Sequence, residues 1–299
     1  MSFTKLCSLA LVISALSVFV VIANDEVQSP VRDLVGFENI NDSQPLWEFG
    51  VGVAAVEVAH YPASSERNFL TLAAPYVIYR GDIFRVGGNS GLRAVIVETS
   101  DFELDFSFGG AFSANSEENT ARAGMPELDF LFEVGPQLVY RVSDHEFEQG
   151  GNAKLRARLQ ARAVFSTDFK GLDQRGFVLE PRFSYQQRGV FFKETGLNVA
   201  LTFTFASEKS QDYFYQVDPD FVTSNRIQYD AKAGYLGAEL SIGFSFPVVK
   251  NIRGFVNTST QFHQGAANQD SPLYEKDITY SIGIGFVWRL YKSDTKASW

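Results

Sequence analysis

The stretch Ile278-Thr279-Tyr280-Ser281-Ile282-Gly283-Ile284-Gly285-Phe286-Val287-Trp288-Arg289-Leu290 decides the fold. Ile278, Tyr280, Ile282, Ile284, Phe286, Trp288 and Leu290 share one parity, and Thr279, Ser281, Gly283, Gly285, Val287 and Arg289 share the other. Period two sustained this long is a β-strand with one apolar face. It exceeds the usual soluble strand of about five or six residues and suffices for the roughly nine to eleven that cross a bilayer at a tilt.

The alternation recurs. Phe102, Leu104, Phe106, Phe108 and Phe112 oppose Asp101, Glu103, Asp105, Ser107, Gly109 and Ala111. Leu128, Phe130, Phe132, Val134, Leu138 and Tyr140 oppose Asp129, Glu133, Gln137 and Arg141, and Leu240, Ile242, Phe244 and Phe246 oppose Glu239, Ser241, Gly243 and Ser245. Twelve segments are expected, at 47–59, 69–79, 83–87, 92–99, 102–112, 128–141, 155–166, 177–187, 197–206, 231–247, 252–263 and 278–291. Gly87-Gly88 truncates the third, so the count carries a range of 10–14.

A soluble sandwich or lectin also alternates. Segment length, polar faces rich in Gly, Ala and Ser, and Trp47, Tyr140, Tyr185, Trp288 and Tyr291 near segment ends favour an all-β, antiparallel transmembrane β-barrel of a Gram-negative outer membrane. An even strand number returns the C-terminus to the side of the N-terminus, the periplasm. Connectors near 80–82, 99–101 and 249–251 then become inner turns, and 114–126, 207–230 and 264–276 outer loops.

The 299 residues carry 26 Lys and Arg against 35 Asp and Glu, a net charge of −9, and are 45% hydrophobic. Disorder is excluded for the bulk of the chain, and so is a basic face for nucleic acid. Lys5 followed by an uncharged run over 6–23 has the form of a secretory signal peptide. The run is also long enough to anchor, but Asn24, Asp25 and Glu26 follow it rather than a basic cluster. Cleavage after residue 23 would remove Cys7, the one cysteine, and leave a chain without disulfides. The acidic 24–45 stretch, with Pro30 and Pro45, reads as a periplasmic N-terminal lead, and 46–299 as the barrel.

Several words point further. They are His60-Tyr61-Pro62-Ala63-Ser64, Ala74-Pro75-Tyr76, Tyr79-Arg80-Gly81-Asp82, and Ala121-Arg122-Ala123-Gly124-Met125-Pro126-Glu127-Leu128. Glu133-Val134-Gly135-Pro136, Tyr213-Phe214-Tyr215-Gln216-Val217, Tyr229 and Ala233-Gly234-Tyr235 follow in order. In this series the chain resembles the MipA/OmpV family of outer-membrane proteins, whose namesake interacts with the lytic transglycosylase MltA. It departs in having Ala63 where the family commonly has Gly, and in carrying Lys292 to Ser298 between the last alternating residues and Trp299. The resemblance implies a non-enzymatic scaffold that links a murein lytic transglycosylase with a penicillin-binding protein, a peptidoglycan synthase. Its contact surfaces would be the inner turns 143–152 and 188–195. The alternative is a narrow solute pore, or an adhesin or envelope-stress factor.

The expected lumen carries Asp101, Glu103, Asp105, Asp129, Glu133 and Glu239 against Arg141, Arg156, Arg158, Arg162 and Arg182. Opposed fixed charges can select ions, or they can brace a narrow barrel by pairing. Pairing is preferred, because a charge in a low-dielectric wall needs a partner. Tyr213, Phe214 and Tyr215 crowd an outer loop, where they either fold over the mouth or contact a partner. His60, His145 and His263 fall at an outer rim, a turn and an outer end; no Gly-x-Ser-x-Gly, His-Glu-x-x-His or cysteine ligand set stands in the sequence. No cofactor or metal is expected, and membrane lipid is the expected surroundings.

Overall fold

The computed structural model describes residues 44–86, 92–111, 119–148, 151–189, 192 and 194–297. The leader and almost all of the 24–45 lead lie outside the described residues, as do Gly87, Phe112 and Trp299.

Twelve strands form: β1 Trp47–Ala59, β2 Arg67–Arg80, β3 Phe84–Val86, β4 Leu92–Glu98, β5 Phe102–Ala111 and β6 Phe130–Glu146. There follow β7 Asn152–Thr167, β8 Asp173–Arg188, β9 Gly196–Ala206, β10 Gly234–Val249, β11 Ile252–Phe262 and β12 Ile278–Lys292. Each pairs antiparallel with its sequence neighbours, and β1 closes on β12 with Val51 opposite Trp288. The ring closes, and its thinnest described seam is at β3, which meets β2 only through Tyr79 with Val86 and Arg80 with Arg85. The described chain enters β1 and leaves β12 at one end, called here the near end; the other is the far end.

Parity sets the two faces. On β12, Ile278, Tyr280, Ile282, Ile284, Phe286, Trp288 and Leu290 all point outward and stay exposed, as do Phe49, Val51 and Val53 of β1. An unbroken apolar exterior of this kind needs lipid rather than water around it. Trp47 stacks on Tyr79 with ring centroids 4.1 Å apart, and Tyr140, Trp288 and Tyr291 stand exposed toward the same near end. Their amphipathic rings form one interfacial girdle.

Bulges adjust the register. Between Phe49 and Gly50 the β1–β12 pairing slips, and a Cβ at Gly50 would run into the Trp288 carbonyl, so only glycine lets the strands close there. A second bulge between Arg141 and Ser143 lets β6 continue to Glu146. His145, expected in a turn, is therefore in a strand. The near-end tail also pairs: Pro45 bridges Lys296, and the Leu46 N–H donates to the Thr295 carbonyl at 2.9 Å.

Candidate functional site: a braced lumen under a loop cap

The inward parity on β3 to β8 is rich in charged and amide side chains, joined at the near end by Glu48 of β1 and Arg80 of β2, and the charges meet. Glu48, fully buried, accepts from Arg80 at 2.5 Å and from Arg289 at 3.3 Å, tying β1 to β2 and β12. Glu103 accepts from Arg85 at 2.7 Å and from Arg93 at 2.9 Å, and Arg85 also holds Glu98 at 2.6 Å. Farther along, Arg162 lies 3.2 Å from Glu133 and 3.3 Å from Glu180, and Arg156 lies 2.5 Å from Asp144. Gln137 donates to Asp105 at 2.9 Å and accepts from Gln160. Buried ions survive only when desolvation is offset by close opposite charge, and these rows meet that condition.

Most of the lumen charges named from sequence point inward. Arg158 and Arg182 stand opposite one another on β7 and β8, Arg141 sits 3.6 Å from Asp144, and Glu239 accepts from Gln261 at 2.9 Å and Ser259 at 3.3 Å. Two expectations are corrected. Asp101 is exposed in the turn before β5, where its carbonyl accepts from the Arg141 N–H at 2.7 Å and its N–H donates to Thr99 Oγ1 at 3.3 Å. Asp129 precedes β6 at the far end, and its carbonyl accepts from the Tyr213 hydroxyl at 2.9 Å. Both have the parity of the lumen face but lie beyond the strand that would aim them inward. Glu48, Arg80, Arg85, Arg93, Glu98 and Arg289 were missed; Arg80 looked like turn chemistry beside Gly81-Asp82, yet it is the last inward residue of β2.

The far end is closed by four interlocked loops, 60–66, 119–129, 207–233 and 263–277. Tyr61, Leu128, Tyr215, Val217, Ala231 and Leu273 form a buried apolar core there, with Tyr213 and Phe214 packed against it. Of the two readings of the aromatic loop, folding over the mouth is the one seen: it is carried on a short helix, α1 Glu208–Tyr215, that turns Tyr215 fully inward. The Tyr215 hydroxyl donates to the Pro62 carbonyl at 2.9 Å, and Ser271 Oγ donates to the Tyr215 carbonyl at 2.9 Å.

Polar side chains lock the same loops. Arg226 donates to the Ala121 carbonyl at 2.8 Å and the Ala123 carbonyl at 3.1 Å, and Arg122 to the Phe214 carbonyl at 3.1 Å. Asn119 bridges His60 at 3.2 Å and Ser64 at 3.1 Å. Ala63 sits at φ 64, a left-handed conformation, with its N–H donating to His263 Nε2 at 3.1 Å and its carbonyl accepting from the N–H groups of Glu275 at 3.0 Å and Lys276 at 2.9 Å. Glycine adopts that φ without the Cβ clash, which gives the family's usual residue there a physical reason.

Burial sets the electrostatics of the cap. It pushes the Tyr215 and Tyr61 phenols well up, Glu275 adding to the rise at Tyr61, and pushes the Arg122 guanidinium down. Burial also lowers His263, and the hydrogen bonds from Thr120 lower Glu66. All three proton-labile imidazole and phenol groups at the centre, His263, Tyr61 and Tyr215, are thereby held neutral. Among the described residues, no group of three His, Cys, Asp or Glu is placed to hold a metal ion.

Four of the eight words that carried the resemblance meet in this cap: His60 to Ser64, Ala121 to Leu128, Tyr213 to Val217 and Tyr229 each contribute a contact or a core residue. Among solved structures, the chain is similar to a NanC porin at 10% identity, over 80% of this chain and 100% of that one, with a TM-score of 0.37. It is also similar to a loop-deletion mutant of OmpT from Vibrio cholerae at 9% identity, covering 82% and 99%, TM-score 0.26. The Pseudomonas putida toluene transporter TodX matches at 9% identity, covering 82% and 68%, TM-score 0.28. No curated protein sequence matches. The fold therefore rests on the strand pairing itself. The family model described as MltA-interacting protein MipA matches residues 50–290, from the first strand through the last, and the chain belongs to that family.

Proposed function

We propose that this outer-membrane barrel is a non-enzymatic scaffold, whose near end faces the periplasm and docks a murein lytic transglycosylase together with a penicillin-binding protein. The carrying observation is the cap: four loops share one apolar core over the far mouth, while ion pairs brace half of the lumen. A rigid, covered barrel suits holding partners at a fixed place better than passing bulky cargo. Residues 1–23 act in this reading as the export signal and 24–45 as the periplasmic lead.

The docking surface on this reading is the near-end rim. β6 runs past the end of β5, so Ser143 to Glu146 pair only with β7, and these four and the bulged Val142 are exposed. The turns 143–152 and 188–195 belong to the same docking surface in this reading. The test is affinity capture of the tagged protein from cross-linked envelopes. Recovery of a transglycosylase and a penicillin-binding protein, reduced when 143–148 is replaced by a short turn, is expected. Recovery of barrel-assembly machinery alone sinks the reading.

A further inference from the structure

The two halves of the barrel interior are built differently. Inward positions on β3 to β8 carry long side chains that fill the lumen, among them Arg85, Arg93, Glu103, Gln137 and Arg162. On β9 to β11 many inward positions are short, with Gly196, Ser241, Gly243 and Ser245 on the wall between the longer Glu239, Arg253 and Phe255. Short side chains leave space, here a cavity of about 610 Å³ between β8, β9, β10 and β11. That is within the usual size range of small-molecule sites. Asn257 points into it opposite Gly243 and is nonetheless exposed, so the cavity is solvent-accessible.

A second cavity of about 660 Å³ lies at the near-end mouth, and Arg253 belongs to the walls of both. The charged groups lining the two are Arg182, Arg188, Arg253, Lys250, Arg289 and Lys292 against Glu194 and Glu239. Six cations face two carboxylates within a chain whose net charge is −9. Arg289 also pairs with Glu48 at 3.3 Å. Arg253 is oriented by neutral acceptors, the Glu194 carbonyl at 2.6 Å and Ser245 Oγ at 3.2 Å. The Glu239 carboxylate is engaged by Ser259 and Gln261 of the barrel wall. Arg158, opposite Arg182 across β7 and β8, adds positive charge behind the wall.

A cleft of one sign inside a low-dielectric wall focuses the field on its contents. Guanidiniums recognise carboxylates as planar forks, and amide side chains between them offer bonds to hydroxyls. Asn198, on the same wall, has a buried Oδ1 with no hydrogen-bond partner among the described residues, an acceptor suited to a ligand hydroxyl. We propose that this cavity binds a small hydroxylated organic anion, a carboxylate-bearing sugar or hydroxy acid, entering from the near end past Lys250 and Lys292. The proposal stands apart from the scaffold reading, since it needs no protein partner.

The test is a titration of the purified full chain in detergent micelles with galacturonate and with galactose, read by calorimetry and by saturation-transfer NMR. Galacturonate is expected to bind at least about tenfold more tightly than galactose, and to weaken as salt is raised. Arg182→Met should lower that affinity about tenfold or more, with Arg182→Lys restoring part of it. Ser241→Phe, which fills the cavity and leaves its charges alone, should lower it as well. Equal binding of the two sugars, no binding at millimolar galacturonate, or undiminished binding in both cavity variants overturns the proposal. Should a variant fail to fold, the comparison of the two sugars on the unaltered chain decides.

Discussion

Replacing Glu103 by Gln probes whether the lumen is held by its ion pairs. The carboxylate is fully buried, with Oε2 2.7 Å from Arg85 and Oε1 2.9 Å from Arg93. Breaking a buried pair by removing one partner costs about 3–5 kcal/mol, because a buried charge is left without its counter-ion. Arg85 keeps Glu98 at 2.6 Å, so only the Arg93 side loses its carboxylate and the low end, about 3 kcal/mol, applies. In urea unfolding of the barrel in micelles that is a shift of roughly two decades in the equilibrium constant. The pair Glu103→Gln with Arg93→Met should recover much of the loss, since an apolar replacement of both partners leaves no orphan charge. A Glu103→Gln barrel within about 1 kcal/mol of the unaltered one, or a double variant as weak as the summed singles, refutes the reasoning.

Other outcomes follow from the cap and the wall. Ala63→Gly relieves a left-handed strain of about 1–2 kcal/mol against loss of one buried methyl worth about 0.8 kcal/mol, so thermal stability should be kept or slightly raised, while Ala63→Val should open the cap to protease. His263 Nε2 accepts the Ala63 N–H, and burial holds its pKa below the ordinary value, so the unfolded chain binds the proton first as pH falls. Cap stability should be full above about pH 6.5 and decline below it until the folded ring protonates, read as faster amide exchange of Ala63 at pH 5 after correction for intrinsic rate; equal protection at both pH values contradicts this. Ile284→Arg, at the middle of the lipid-facing side of β12, should cost about 2–4 kcal/mol in barrel stability, and a neutral result would place that face in water.

The alternation of Ile278 to Leu290 carries the strand, its outward face and the lipid environment, because in a barrel wall each residue's direction depends only on its own parity. The same logic fails where a strand ends or bulges. Asp101 and Asp129 keep lumen parity yet lie beyond β5 and β6, and past the Arg141 bulge the run Ser143-Asp144-His145-Glu146 is polar on both faces, so nothing in it marks a strand. The cap was illegible for another reason. Its bonds join residues far apart in sequence, such as Tyr215 to Pro62 and Arg226 to Ala121, and no local period encodes them. The clue available was that four of the eight words of the resemblance, those at 60–64, 121–128, 213–217 and 229, fall between strands. The cavity went unseen because it comes from the absence of bulk: Gly196 and Gly243 read as ordinary small inward residues until the ring closes and places them around one space.

The central claim, a barrel that holds cell-wall enzymes at the outer membrane, is tested most directly by reconstitution. The full chain in nanodiscs would be mixed with a purified lytic transglycosylase and a purified penicillin-binding protein, and complexes followed by light scattering. The account predicts a ternary complex that forms only with the barrel present and weakens when 143–148 is shortened. Two enzymes that ignore the barrel, singly and together, would contradict it.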